Sequence, residues 1–268
     1  MRHDGGMADI AGLLAVYDAQ MRIPNDPVPV GVSYERDGPV VRIVGEHVGR
    51  VRTPRDLGVG GADLDRLIAR QRDFFRARGQ GLEWKVMGHD LPVELPERLV
   101  AAGFVPEPQA AVLLGYAEEV AGTPVLPDGV VVRQVSGDED LRRIADHQTA
   151  IWGFDCSWVA AHLAARVAAD PALITILVAE AGEQIACTAW TMFSPGTDFA
   201  ALLGGTTLPE WRGRGIYSAL IAARAREAAD RGFRLLHVDA SPASAPILRR
   251  CGFREITTST HYAWAPPR

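Results

Sequence analysis

The sequence predicts an α/β protein made of two tandem α/β units, each a mixed central sheet flanked by helices. Three observations carry this. Strand-length apolar runs alternate with amphipathic helical runs along the whole chain. The two halves close on one shared pattern, "RGQGLEWKVMGHDLPVELPERLVAAGFVPE" in the first and "RGFRLLHVDASPASAPILRRCGFREI" in the second. Between them, "YAEEVAGTPVLPDG" (Tyr116 to Gly129) is polar, carries Gly and Pro, and lacks periodicity, which divides a domain over 1–120 from one over 128–268.

Each closing pattern reads Arg-Gly, strand, polar loop with proline, short helix, Gly-Phe, return strand. Gly103 and Gly252 stand where a helix C-terminus prefers a left-handed residue. In the first half, "DIAGLLAVYDAQM" predicts a helix and "VPVGVSYER" and "PVVRIVGEHVGRVR" predict strands. "ADLDRLIARQRDFFRARG" predicts a second helix, and the repeated segment follows it. In the second half, "GVVVRQV" predicts a strand and "DEDLRRIADHQTAIW" a helix with an acidic first turn. "SWVAAHLAARVAA" is another helix, and "ITILVAEAGEQIACTAWTMF" a hairpin turning at Ala181 to Glu183. Then come a strand in "FAALLGGTTL", a helix in "GIYSALIAARAREAADRG", a strand in "RLLHVDA", a short helix in "APILRRC" and a last strand in "HYAWA".

Bulk properties exclude several classes. With 268 residues, 47% of them hydrophobic, the chain can bury a sizeable core. A net charge of −5 argues against a broad nucleic-acid face. No apolar run is long enough to span a bilayer, and "MRHDGGMADI" lacks the apolar core of a signal peptide. Cys156, Cys187 and Cys251 are too far apart for a disulfide framework or a metal-ligand set. The expectation is a cytoplasmic, metal-free protein, a monomer or weak homodimer, without nucleic-acid or membrane partners.

"LPEWRGRGIYSAL", Leu208 to Leu220, is the most informative stretch. A helix N-terminus exposes unpaired N–H groups and about half a positive charge. Glycines let an anion approach that backbone, and arginines add charge-assisted bonds. No Gly-Lys-Ser/Thr follows, so it is not a Walker loop. Nor is there a third glycine in a dinucleotide-binding context. Read from the residues alone, the stretch is either a phosphate cradle or a tight turn with both arginines solvated.

"GGTTLPEWRGRGIYSAL", followed by a strand and then "SAPILRRCGF", resembles the GNAT superfamily of acyl-CoA-dependent N-acetyltransferases. The family signature is Arg/Gln-x-x-Gly-x-Gly/Ala after a strand. Arg212-Gly213-Arg214-Gly215-Ile216 matches it, and Thr207-Leu208-Pro209 stands at the preceding step. The resemblance covers roughly 130–264 and makes the whole chain similar to a tandem GNAT protein with a degenerate first half. It implies acetyl-CoA as cofactor and an amine as acceptor. Amides from Arg212, Gly213, Arg214, Gly215, Ile216 and Tyr217 would bind the coenzyme A pyrophosphate. The main chain at Thr207 and Leu208 would pair with the pantetheine arm, and an amide near Thr207 would polarise the thioester carbonyl. Ser241 stands where the family usually has an asparagine touching the pantetheine. Two positions depart from the pattern. Tyr217 takes the place of a Gly/Ala and is expected to point away from the phosphates. Leu248 takes the place of a tyrosine that would protonate the leaving thiolate.

Amine acylation needs a base. "FAALLGGTTL" offers no ionisable group until Asp198 at its start. Period-2 alternation puts His237, Asp239 and Ser241 on one strand face, so His237 or Asp239 would take the proton through water. The alternative is a core histidine and a loop-capping aspartate. "AIWGFDCSW" joins the two helices that line the acceptor site in the family. There Trp152, Phe154 and Trp158 form either an apolar wall with Asp155 as amine anchor, or ordinary core; Tyr262 and Trp264 on the last strand carry the same two readings.

"RDLGVG", Arg55 to Gly60, also satisfies Arg-x-x-Gly-x-Gly. Asp63 and Asp65 follow in the first turn of its helix, where they would repel a pyrophosphate. The first half is therefore expected not to bind coenzyme A. The function expected is acetyl or short-acyl transfer from acyl-CoA to a primary amine; the alternative is an acyl-CoA-binding sensor with little or no catalysis.

Overall fold

A computed structural model describes residues 4–24, 27–123 and 125–267. Residues 1–3 of the amino-terminal stretch and Pro124 of the expected linker lie outside the described residues. The first half runs α1 (Asp4–Met21), β1 (Ser33–Asp37), β2 (Val40–Val44), β3 (Gly49–Arg52), α2 (Gly61–Arg76), β4 (Leu82–Met87), α3 (Leu95–Ala101), β5 (Val105–Pro106), β6 (Ala110–Tyr116) and α4 (Ala117–Val120). The second runs β7 (Val130–Gln134), α5 (Asp138–Trp152), α6 (Trp158–Ala169), β8 (Ile174–Ala181), β9 (Gln184–Phe193), β10 (Phe199–Thr207), α7 (Ile216–Asp230), β11 (Leu235–Ala240), α8 (Ala245–Arg250) and β12 (Arg254–Trp264).

The elements follow their residues. α5 carries Asp138, Glu139 and Asp140 in its first turn, opposing the helix dipole, and stops at Gly153 in the left-handed region. The β8–β9 hairpin turns at Gly182–Glu183, as expected. "PVVRIVGEHVGRVR" is two paired strands rather than one, and "HYAWA" is the end of an eleven-residue strand.

Among the described residues, twelve strands form one mixed sheet, ordered β1-β2-β3-β4-β12-β6-β11-β10-β9-β8-β7, with β5 pairing β12. The order is nearly a palindrome about β12 and β6. The repeated strands β4 and β11 flank this centre, and each half lends its return strand to the other. β12 pairs with β4, β6 pairs with β11, and the two return strands pair with each other. The halves are thus consecutive along the chain but interlocked in the sheet.

One face carries α2, α3, α7 and α8. Phe75, Leu67 and Leu99 pack on Trp84 in the first half; Ile221, Ala225 and Leu248 pack on Leu113 and Leu236 in the second. The other face carries α1 over the centre, through Leu13 and Tyr17, and α5 and α6 over β8 and β9. Burying each large apolar side chain contributes ~1.5–3 kcal/mol. Two strand pairs are parallel, β3–β4 and β10–β11, and each is paired for three residues before it parts.

Candidate active site

β10 and β11 pair from Phe199/Leu235 to Ala201/His237 and then diverge, which leaves an opening between them. On its far side β10 stays paired to β9, with a bulge between Leu203 and Thr206. Glycines permit this bulge. A Cβ on Gly204 would fall 1.9 Å from the Trp190 ring, and one on Gly205 would fall 2.6 Å from Tyr217. Behind the bulge, the Gln148 amide donates to the Gly204 carbonyl and to the hydroxyls of Thr188 and Thr206, which fixes the strand from the α5 side.

Gly213 and Gly215 both have positive φ, +74° and +81°. Alternating left-handed residues turn successive N–H groups toward one point, making an anion nest. Among the described residues, no backbone carbonyl takes the N–H of Gly213, Arg214 or Gly215, and the first turn of α7 adds its own unpaired donors. A cavity of about 370 Å³ lies here, lined by Arg214, Gly215 and Ser218 together with Thr123, Val125 and Leu126 of the connection between the halves. Arg214 stacks over Trp211 at 4.8 Å, while Arg212 turns back so that its Nε donates to the Thr207 carbonyl at 3.1 Å. These residues fit a pyrophosphate: free amides, a nearby cation and room.

Of the two expected ledge residues, Leu208 has its N–H committed to the Ala186 carbonyl, while its own carbonyl accepts from Trp211 and keeps a second lone pair. Strand alternation points the Thr207 N–H into the opening. Ser241 is exposed, and its hydroxyl accepts the Ser244 N–H at 3.2 Å, a local turn contact at the start of α8. Tyr217 does point away from the nest. Its ring lies under β10 against Gly205, and burial pushes its phenol pKa up. Leu248 is fully buried in the core.

His237 and Asp239 do share a face, the one opposite α7. His237 sits at the apex of the opening, 8% exposed, with its ring 5.0 Å from that of Tyr17 on α1. Neither ring nitrogen makes a hydrogen bond, and Nε2 lies 3.4 Å from Asp239 Oδ1. Asp239 is held by Lys85 of β4, which reaches across β12 and β6. Burial alone would raise the Asp239 pKa, but Lys85 and His237 outweigh it and hold the carboxyl well below its ordinary value. Farther along the same face, His261 bonds Glu83 at 3.0 Å. Burial opposes ionisation of Glu83, yet His261, Arg50 and Arg52 bring its pKa down to about 2.

Residues 139–253 match the profile of the Acetyltransferase (GNAT) family. The chain carries a GNAT acetyltransferase domain. Acyl transfer is the chemistry of that domain. Over nearly its whole length the structure resembles a GCN5-related N-acetyltransferase from Kribbella flavida, at 17% identity and a TM-score of 0.63, covering 97% of this chain and 95% of that one. It also resembles a tandem GNAT protein from the clavulanic acid biosynthesis pathway, at 16% identity and 0.61, covering 99% and 97%. A GCN5-related N-acetyltransferase from Sphaerobacter thermophilus follows at 18% and 0.58, covering 87% and 82%. At such identities the likeness is one of fold. No curated protein matches the chain.

In the GNAT domain, the expected aromatic wall is dispersed. Trp152 and Phe154 are 53% and 60% exposed, and Trp152 Nε1 donates to Gln148. The Asp155 carboxylate accepts the Ser157 N–H at 2.8 Å, a bond that lowers its pKa. Trp158 instead stacks on His47 of the first half, 5.2 Å away and 3° from parallel. Tyr262 and Trp264 belong to the first-half core, so the packing reading holds for them. Among the described residues, no helix is long and apolar enough to cross a membrane.

Two histidines of the GNAT domain make the fold acid-sensitive. Burial depresses His147, which lies between the carbonyls of Ile185 and Thr206. Burial also takes His162 down to about 4, despite the nearby Glu46 carboxylate. A folded pKa below the unfolded one means that the unfolded chain binds the proton first as pH falls. The stability present above pH ~6.5 is therefore lost on the way down to ~4. For the half-buried His162 the loss is about 1–2 kcal/mol after allowance for solvent. Thermal melts at pH 7.5 and 5 should show the drop, and His162→Gln should flatten it; an unchanged slope in that variant would contradict the assignment.

The first half presents the same letters in another state. The Leu57 N–H donates to the Leu91 carbonyl at 3.0 Å, and the Leu91 N–H donates to Arg55 at 2.8 Å, so backbone bonds close the gap between the ends of β3 and β4. Among the described residues, no such bond joins 208–212 to 241–244. The Gly58 N–H is already taken by the Asp56 carboxylate. Asp63 and Asp65 stand in the first turns of α2, paired with Arg66 and Arg98. Sequence reasoning missed Tyr17 and Lys85, because they reach the site from the opposite half.

Proposed function

We propose that the chain transfers an acetyl or other short acyl group from acyl-CoA to a primary amine, in the cytoplasm and as a monomer or weak homodimer. The carrying observation is one opening with an unspent anion nest at its mouth and, at its apex, an imidazole beside Asp239 whose ring nitrogens make no hydrogen bond. Acetyl-CoA supplies the activated acyl group when bound. The amides of Gly213 to Tyr217 and the Arg214 guanidinium would hold its pyrophosphate. The Thr207 N–H supplies a donor inside the opening. His237 takes the proton of the incoming ammonium at a free ring nitrogen. Asp239, already ionised and committed to Lys85, orients that ring. Tyr217 holds a proton at Oη beside Gly205, on the side where Leu248 cannot supply one. Trp152, Phe154 and Asp155 form the outer lip. The first half binds no coenzyme A, since its own backbone and Asp56 fill the equivalent place. All three cysteines are free thiols, as a reducing compartment keeps them.

A second reading, an acyl-CoA sensor, is favoured by Leu248 and by the absence of a carboxylate on β10. An amine panel monitored for thiol release, beside thermal shifts with acetyl-CoA, separates the two. Turnover with stabilisation is expected. Stabilisation without turnover on any amine supports the sensor, and no stabilisation at all removes both readings.

A further inference from the structure

On the sheet face that joins the halves, one guanidinium stands alone. Arg52 ends β3 and, among the described residues, its side chain makes no hydrogen bond or ion pair; its Nη1 is buried without a partner. Burial and the adjacent Arg50 disfavour its charge, and Glu83, Tyr17 and Asp239 are the groups that support it from a distance. The other cations of the face are answered. Arg50 has Glu46 and Glu83, and Lys85 has Asp239. Arg52 is the one of these three cations that no carboxylate contacts.

The same wall holds further orphans. Ser259 Oγ, on a residue 1% exposed, has no hydrogen bond, nor has either ring nitrogen of His237. Buried polar atoms in folded proteins are satisfied as a rule, and these orphan atoms on one wall depart from it. A polar molecule would satisfy them. A planar guanidinium that no carboxylate contacts suits a carboxylate, which it can grip with two parallel bonds. A phosphate dianion would need a second free cation. Arg52 and His237 lie four strand spacings apart, roughly 19 Å between their strands. Their side chains span part of that distance, so the two ends of the molecule are separated by several bonds.

We propose that Arg52 is the carboxylate anchor of the acceptor: the amine presented to His237 belongs to an amino acid whose acid group lies several bonds away and pairs with Arg52. This rests on the proposed role of His237 as the group that takes the proton of the acceptor amine. Ser259 bonds the connecting part, and the first half of the chain thereby selects the substrate of the second.

The test uses the full chain and a series of amino carboxylates from glycine to 6-aminohexanoate, each beside its primary amide, read by thermal shift and calorimetry. A longer member should bind at least tenfold more tightly than its amide. Arg52→Met and Arg52→Gln should each erase that preference. Equal binding of acids and amides, a preference that survives both substitutions, or no binding by any member overturns the proposal. Acetyl-CoA binding is measured on the same proteins. Its absence would sink the acyltransferase reading, while the acid-over-amide preference decides Arg52 independently.

Discussion

Gly215→Glu is expected to raise the Kd for acetyl-CoA at least 100-fold, about 2.7 kcal/mol, with a smaller loss of stability. Two effects combine. Gly215 adopts φ +81°, which an L side chain reaches at a cost of ~1–2 kcal/mol. There is room for the atom itself, since a Cβ would lie 3.6 Å from the Val125 carbonyl. The fold should therefore survive, with the nest distorted and a carboxylate standing where a pyrophosphate is to bind. Gly58 supplies the control. It occupies the matching place in "RDLGVG", has φ +65°, and a Cβ added there would meet nothing within 4 Å. Gly58→Glu carries the same backbone strain, yet acetyl-CoA affinity should stay within twofold. Calorimetric titration of both variants checks this. Equal weakening by the two would mean that strain, not the nest, controls binding, and normal binding by Gly215→Glu would remove the nest from the mechanism.

That contrast shows what sequence reading can resolve. Period, turn glycines and helix stops place nearly every element, because each is decided by neighbours within a few residues. The nest is legible for the same reason: Gly213 and Gly215 act through their own φ angles. The joint face is not. "GRVR" and "LEWKV" alternate polar and apolar residues, as any half-solvated strand does, and nothing local tells whether the polar side meets water or a second half. Lys85 finds Asp239 at 154 residues' separation. The exchange of β6 and β12 is equally silent, since either return strand satisfies the same edge pattern. Tyr217 reads as merely tolerated because its partner is an absence, the missing side chain of Gly205. The Leu208 N–H goes to a backbone bond with Ala186 that only strand register reveals.

His237→Gln should lower kcat by roughly 10²–10³ and leave acetyl-CoA binding within twofold. Glutamine keeps a planar polar group beneath Tyr17, so packing is nearly conserved, but it cannot take a proton. Asp239→Asn is the informative contrast. The carboxylate is 26% exposed and neutralises Lys85, itself 11% exposed. Removing that charge leaves an ammonium without its partner, which should cost about 2–3 kcal/mol of stability. Because Asp239 stands 3.4 Å from Nε2 and supports the ring without being the base, kcat should fall, but less than in His237→Gln. The two variants thus separate proton acceptance from support of the acceptor: one loses rate with its melting temperature intact, the other loses melting temperature with most of its rate intact. If Asp239→Asn abolished turnover while His237→Gln retained it, the proton would leave by the carboxylate, and Lys85 would have to release Asp239 when the amine enters. Full activity in both variants would put the base on an element outside this face, since within the opening β10 offers no ionisable side chain between Phe199 and Thr207.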